Sequence, residues 1–168
     1  MPKYIRNYVA GGTYFFTLVT KNRIPIFNNE YSFEAFLDSL QKTQTYHPFE
    51  LMAFCILPDH VHLLLTLPAG DDDYSTRIKE IKRRTTLLIR ESRKKPTLTV
   101  WQKRFWEHTI RDFEDFQNHS DYIHYNPVKH GYCVNFEDWK WSSFRSSDNL
   151  GREVDPKLFL KSKFSFGE

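Results

Sequence analysis

The stretch at residues 49–67, FELMAFCILPDHVHLLLTL, decides the fold. It holds two runs of strand-forming residues, 49–57 and 60–67, separated only by Pro58 and Asp59. Two such runs with so short a break predict an antiparallel hairpin. On the second run, residues i and i+2 share a face. Val61, Leu63, Leu65 and Leu67 then point one way, into a core against helices, while His60, His62, Leu64 and Thr66 point the other. The two imidazoles stand side by side, about 6.5–7 Å apart at Cα. From that spacing both could reach one cation.

Working outward, Gly11 and Gly12 followed by TYFFTLVT read as a tight turn into a β-branched and aromatic strand. A helix is expected over residues 30–46, where Phe33, Phe36, Leu37 and Leu40 recur at helical spacing, and His47-Pro48 ends it. Beyond the hairpin, Pro68 and Gly70 close the unit. Asp71, Asp72, Asp73 and Ser75 then offer caps for a second helix over 74–92. RKKPT at 93–97 reads as a loop, WQKRFWEHTI at 101–110 as a short strand, and residues 112–125 as a third helix. The order strand, helix, strand, strand, helix, strand, helix predicts an α+β fold. It is the ferredoxin-like split βαβ arrangement around a central antiparallel sheet, with an added C-terminal helix. A single domain over 1–168 is expected, with its core at about 4–145 and a tail at 146–168. Many unrelated activities use this layout, so function has to come from a site.

Composition narrows the classes. No stretch approaches the roughly twenty apolar residues of a membrane span, and the first residues, MPKYIRNYVAGGTYFF, lack the apolar block of a signal peptide. The two cysteines, Cys55 and Cys133, form no CxxC pair, which fits a reducing cytosol and argues against thiolate-held zinc. The net charge is only +3, yet residues 77–95 carry nine Lys/Arg against Glu80 and Glu91, so the remainder is net acidic. A basic face on an acidic body is the footprint of a polyanion binder, or else a solvated helix face. Aromatics make up 17% of the chain, a richness that suits stacking of unpaired bases, although most of these rings must be core.

The histidine pair needs a partner to mean anything, because seven histidines in 168 residues give roughly 0.3 HxH pairs by chance. In the third helix, Tyr122 and Asn126 lie one turn apart on nearly the same stripe, with His119 close to it; Tyr125 and His124 point elsewhere. Four segments in order, GGTYFFTLVT, CILPDHVHLLLTLP, WQKRFWEHTI and DYIHYNPVKHGY, resemble the REP-associated tyrosine transposases. That group lies within the single-tyrosine HUH transposases, named for His-hydrophobe-His. The resemblance covers roughly residues 4–145.

The resemblance implies a metal-dependent single-stranded DNA endonuclease and strand transferase acting at repetitive extragenic palindrome hairpins. His60 and His62 would hold a divalent cation, Mg2+ or Mn2+, and Tyr122 on the added helix would attack DNA to give a 5′-phosphotyrosine. The chemistry is coherent. A cation neutralises the phosphodiester's oxygens, and a tyrosine with a pKa near 10 is only about 0.1% ionised at pH 7, so it needs help from the metal or from His119 or Lys129. Relatives place a glutamine four residues after the tyrosine as a third ligand; here Asn126 stands there, before Pro127, so ligand and helix cap remain alternatives. Tyr125 is the rival nucleophile.

Lys82, Arg83 and Arg84 on the basic helix, and Arg104 in WQKRFW, are candidate DNA contacts. Trp101, Phe105 and Trp106 suit the core better than a stacking surface. Asp59 is either a turn residue or a partner orienting an imidazole. The expected partner is single-stranded DNA with hairpins, the expected location the cytoplasm in association with the nucleoid, and a homodimer is left open. The main rival is a ferredoxin-like module that binds nucleic-acid hairpins without cutting them; a metal-dependent hydrolase of small phosphates is a third.

Overall fold

The computed structural model describes residues 5–146; most of the expected tail, 147–168, lies outside the described residues. The elements are β1 (Thr13–Val19), α1 (Glu30–Tyr46), β2 (Glu50–Ile56), β3 (His60–Thr66), α2 (Tyr74–Arg93), β4 (Trp106–Thr109) and α3 (Phe113–Lys129), with short 3-10 turns at Lys21–Arg23, Phe136–Asp138 and Ser143–Ser146. The sheet is antiparallel, in the order β2-β3-β1-β4. That is the expected split βαβ arrangement.

The hairpin forms as its sequence predicts. Ile56 pairs with Val61, and Leu57 N–H donates to the His60 carbonyl around Pro58-Asp59. A bulge at Met52 absorbs one residue of β2. Asn29 caps α1 in a reciprocal box with Ser32, and Asp73 caps α2 through Thr76 N–H.

Two expectations change. The fourth strand is four residues long, because residues 102–105 run as a loop and only Trp101 bridges back, to Thr20. And α3 does not stop at Asn126. It runs through Pro127 to Lys129, with His130 N–H donating to the Asn126 carbonyl. Proline removes one helical donor, but the last turn closes around it, so Asn126 sits inside the helix and the cap reading is overturned.

Alternation along β1 and β3 divides the buried side chains between the two faces of the sheet. Tyr14, Phe16, Leu18, Val61, Leu63 and Leu65 form the main core with Phe33, Phe36 and Leu40 of α1 and Ile78 and Ile81 of α2. Phe15, Cys55 and Leu64 turn the other way and pack with Tyr122 and Ile123 of α3. Residues 139–143 cover the outer edge of β2: Ile56 N–H donates to the Trp141 carbonyl, Trp139 Nε1 to the Ile56 carbonyl, and Phe54 N–H to Ser143 Oγ. An exposed sheet edge is thereby blunted.

Candidate active site

The second face is where the histidines lie. His60 and His62 are 1% and 0% exposed, with ring centroids 5.0 Å apart and nearly perpendicular. Each ring is oriented through Nδ1. His60 Nδ1 is 2.7 Å from Asp59 Oδ1, and His62 Nδ1 is 3.0 Å from Thr17 Oγ1, its cross-strand neighbour on β1. Any ligand role therefore falls to Nε2 of both rings, the arrangement in which an outer partner fixes tautomer and direction. His60 and Arg23 hold the Asp59 carboxyl down at about 2, so it is ionised and the proton of the shared bond resides on His60 Nδ1. The two alternatives offered for Asp59 are compatible, since it stands in the hairpin turn and contacts the His60 ring.

Helix α3 lies across this face. Asn126, fully buried, puts Oδ1 3.3 Å from His60 Nε2. Whether that nitrogen donates to the amide oxygen follows from the tautomer of the ring. The two atoms are also close enough to serve as adjacent ligands of one cation, since about 3 Å separates neighbouring ligands at bonds near 2.1 Å. Two imidazole nitrogens and an amide oxygen form a mixed nitrogen and oxygen donor set that could hold a divalent cation.

Tyr122, 3% exposed, stands against His62 with ring centroids 5.4 Å apart and against Phe15 at 6.1 Å. Lys129 Nζ donates to its hydroxyl at 3.1 Å. Tyr125 is half-buried on the adjoining stripe of the helix. The side chains above the site are those of the last turn of α3, the exposed Lys129 and His130, whose ring is 5.0 Å from that of His60.

The sequence and the fold have known counterparts. The family model described as "Transposase IS200 like" matches residues 8–126. A Haemophilus influenzae protein assigned to the REP-associated tyrosine transposases is 46% identical over 152 residues, covering 86% of each chain. The REP-associated tyrosine transposase of Escherichia coli is 41% identical over 145 residues, covering 86% of this chain and 83% of that one. The chain belongs to this family. A solved REP-associated tyrosine transposase bound to a REP hairpin superposes with a TM-score of 0.85 at 37% identity, covering 100% of this chain and 98% of that one. A Deinococcus radiodurans structure at 22% identity, with a TM-score of 0.52 over 69% of this chain and 92% of that one, shares the fold.

In this chain the candidate residues divide by location. His60, His62, Tyr122 and Asn126 come together. Lys82, Arg83 and Arg84 do not join them, because α2 packs on the opposite face of the sheet. Much of the basic surplus there is structural: Arg77 clamps the Pro48 carbonyl and Asp71, Arg90 reaches the Leu98 carbonyl, and Arg93 the Ile26 carbonyl. Lys82 donates to the Gln102 carbonyl, with burial lowering its pKa to about 8, while Arg83 and Arg84 share Glu80. Arg104 is exposed on the loop before β4. Trp101 is buried, and Phe105 and Trp106 are half-buried on opposite faces, as their core reading implies.

His119 belongs to a separate cluster. It lies behind Phe15 (ring centroids 4.9 Å apart), and its Nδ1 donates to the Asp115 carbonyl at 2.8 Å. His108 Nε2 donates to Asp115 Oδ2 at 2.8 Å, and Arg111 reaches the same oxygen through N and Nε. His108, Asp115 and His119 are a ligand-like set, but the carboxylate is already met by two imidazoles and a guanidinium. The trio ties the start of α3 to β4. Burial lowers the His119 pKa.

Sequence reasoning overlooked Thr17 and His130. Thr17 was recoverable from strand pairing, since it lies opposite His62 once β1 and β3 are aligned. His130 had no comparable signal, because its place above His60 depends on α3 continuing through Pro127.

Proposed function

We propose that this protein cuts and rejoins single-stranded DNA beside palindromic hairpins, with Tyr122 as nucleophile and a divalent metal held by His60, His62 and Asn126. The observation that carries the reading is the convergence on one buried spot of two imidazoles oriented through Nδ1, an amide oxygen and a phenol. Hairpin DNA as partner rests on the likeness to the relative solved with a REP hairpin.

The metal, Mg2+ or Mn2+, would neutralise phosphate oxygens and favour displacement at phosphorus. The chain's own residues do the rest. Asp59, an acceptor only, holds His60 in its ligating tautomer, and Thr17 aims the His62 ring. Lys129 donates to the Tyr122 hydroxyl, the oxygen that must become negative. Tyr122 Oη, its proton released to solvent, forms a bond to phosphorus; the bond from phosphorus to the 3′-oxygen breaks, and that oxygen is protonated to a free 3′-OH. The 5′-phosphotyrosine keeps the energy of the broken diester, so a 3′-OH can reverse the step without ATP. Phe15, packed on Tyr122 and His62, keeps the base of the site dry.

The test is incubation of end-labelled hairpin DNA bearing single-stranded flanks with protein and Mn2+, followed by a denaturing gel. A denaturant-resistant protein–DNA adduct is expected. It should vanish with Tyr122→Phe, which keeps hairpin binding, and persist with Tyr125→Phe. His60→Ala and His62→Ala should each slow cleavage at least about a hundredfold. Binding without any adduct across a library of hairpins would establish the non-cleaving module instead.

A further inference from the structure

Helix α3 ends in a turn whose geometry presents an aromatic ring beside the site. Gly131, at φ +74°, follows His130, and the two closing bonds run from Tyr132 N–H to the Pro127 carbonyl and from Gly131 N–H to the Val128 carbonyl, at 2.9 and 3.0 Å. This is a Schellman closure, which fixes the backbone of the residue after the glycine. Tyr132 is therefore held in place although 44% of it is exposed.

Its ring continues a line that begins at the histidine pair. From His60 the centroids step 5.0 Å to His130, 6.3 Å to Tyr132 and 5.5 Å to Trp139. Trp139 is anchored by its indole N–H on the Ile56 carbonyl, so the outer end of the line is fixed as well. Tyr132 lies 34° from the His130 plane and 33° from that of Trp139.

Charge accompanies the rings. Lys129 sits on the inner side, over Tyr122. On the other side Arg23, 42% exposed, is held 3.2 Å from Asp59 by a loop in which Asn22 and Arg23 both take positive φ. Two consecutive non-glycine residues in that region cost energy, and such strain concentrates at functional sites. Rigid rings bordered by cations are what a single strand needs to lay down a base and its phosphate. The phenol of Tyr132 stays neutral, raised by burial and by the nearby Asp59 carboxylate.

We propose that Tyr132, with His130 beside it and Lys129 and Arg23 at the rim, is a stacking seat for one unpaired base of the DNA strand next to the phosphate that Tyr122 attacks. The proposal rests on the reading of Tyr122 and the histidine pair as the reacting site, since that reading places the phosphate. Tyr132 makes the seat selective for unpaired nucleotides, because a base inside a duplex has no open face to offer.

The experiment scans the single-stranded flank of a hairpin with 2-aminopurine, one position at a time, and reads fluorescence on binding to wild-type protein in EDTA. Quenching at one flank position is expected. It should be lost with Tyr132→Ala and kept with Tyr132→Phe, with affinity falling on the order of tenfold for Tyr132→Ala and little for Tyr132→Phe. Replacing the responsive nucleotide by an abasic one should weaken wild-type binding similarly and leave Tyr132→Ala nearly unaffected. Circular dichroism of each variant checks that the fold is retained. Quenching that is the same in wild type and Tyr132→Ala, or absent at every flank position, overturns the seat. Because this readout needs no cleavage, it is independent of adduct formation in Mn2+, whose failure would overturn the nucleophile reading instead.

Discussion

The two faces of the sheet are buried to a similar degree and built from the same strands, yet they are filled with different chemistry. Beneath α1 and α2 the filling is apolar: Tyr14, Phe16, Leu18, Val61, Leu63 and Leu65 meet phenylalanines and isoleucines, and the buried Glu107 accepts the Tyr74 hydroxyl. Beneath α3 the same strands supply Thr17, His60 and His62, and the helix answers with His119, Tyr122 and Asn126. Burying polar groups costs free energy unless each finds a partner. A fold seeking stability alone would repeat the first face on the second. The difference therefore separates the labour: one face holds the sheet together, and the other carries groups whose value lies in what they do.

That contrast can be broken first on the apolar side. Phe36→Ala removes a fully buried ring from between α1 and the sheet. It should cost about 3–5 kcal/mol of stability in denaturant unfolding, while DNA cleavage per folded molecule stays near wild type. A change in cleavage beyond the loss of folded protein would show that the faces are coupled.

A nearly isosteric change on the polar side should do the reverse. Thr17→Val deletes only the hydroxyl beside His62 Nδ1. We expect metal affinity or metal-dependent cleavage to fall about 10- to 100-fold, with a loss of stability of only about 1 kcal/mol. Mn2+ titration alongside thermal melting separates the two effects.

The smallest expected effect is acid sensitivity at the start of α3. Burial works against the Asp115 charge, but His108 and Arg111 hold its carboxyl down at about 2. A pKa depressed in the fold contributes stability that is complete above the ordinary carboxylate range and disappears as pH falls toward about 2. Asp115→Asn should lower stability at neutral pH by about 1–3 kcal/mol, and the gap from wild type should narrow below pH 4. A gap that stays constant to pH 2 would show that the charge of Asp115 is not what binds α3 to β4.

The same contrast explains what could be read from the chain alone. The apolar face was legible because its signal is periodic: alternation in 49–67 and helical spacing of Phe33, Phe36 and Leu40 give the elements, and their order gives the topology. The sharing of a face by His60 and His62 was equally legible. Less visible was everything that depends on α3 passing through Pro127. Local propensity favours a stop at Asn126, but packing of Tyr122 and Ile123 under the sheet carries the helix one turn further. That turn brings His130 over His60 and sets Lys129, already a candidate helper from the sequence, against the Tyr122 hydroxyl. The basic stretch misled in another way, since counting charges does not reveal that Arg77, Arg90 and Arg93 are occupied by backbone carbonyls.

The central claim is that Tyr122 is the residue that joins to DNA. Its most direct measurement is mass mapping of the peptide that keeps a nucleotide remnant after reaction with hairpin DNA in Mn2+. The account predicts the remnant on Tyr122 in wild type and no remnant in Tyr122→Phe. A remnant on Tyr125, or an adduct that survives Tyr122→Phe unchanged, would contradict it.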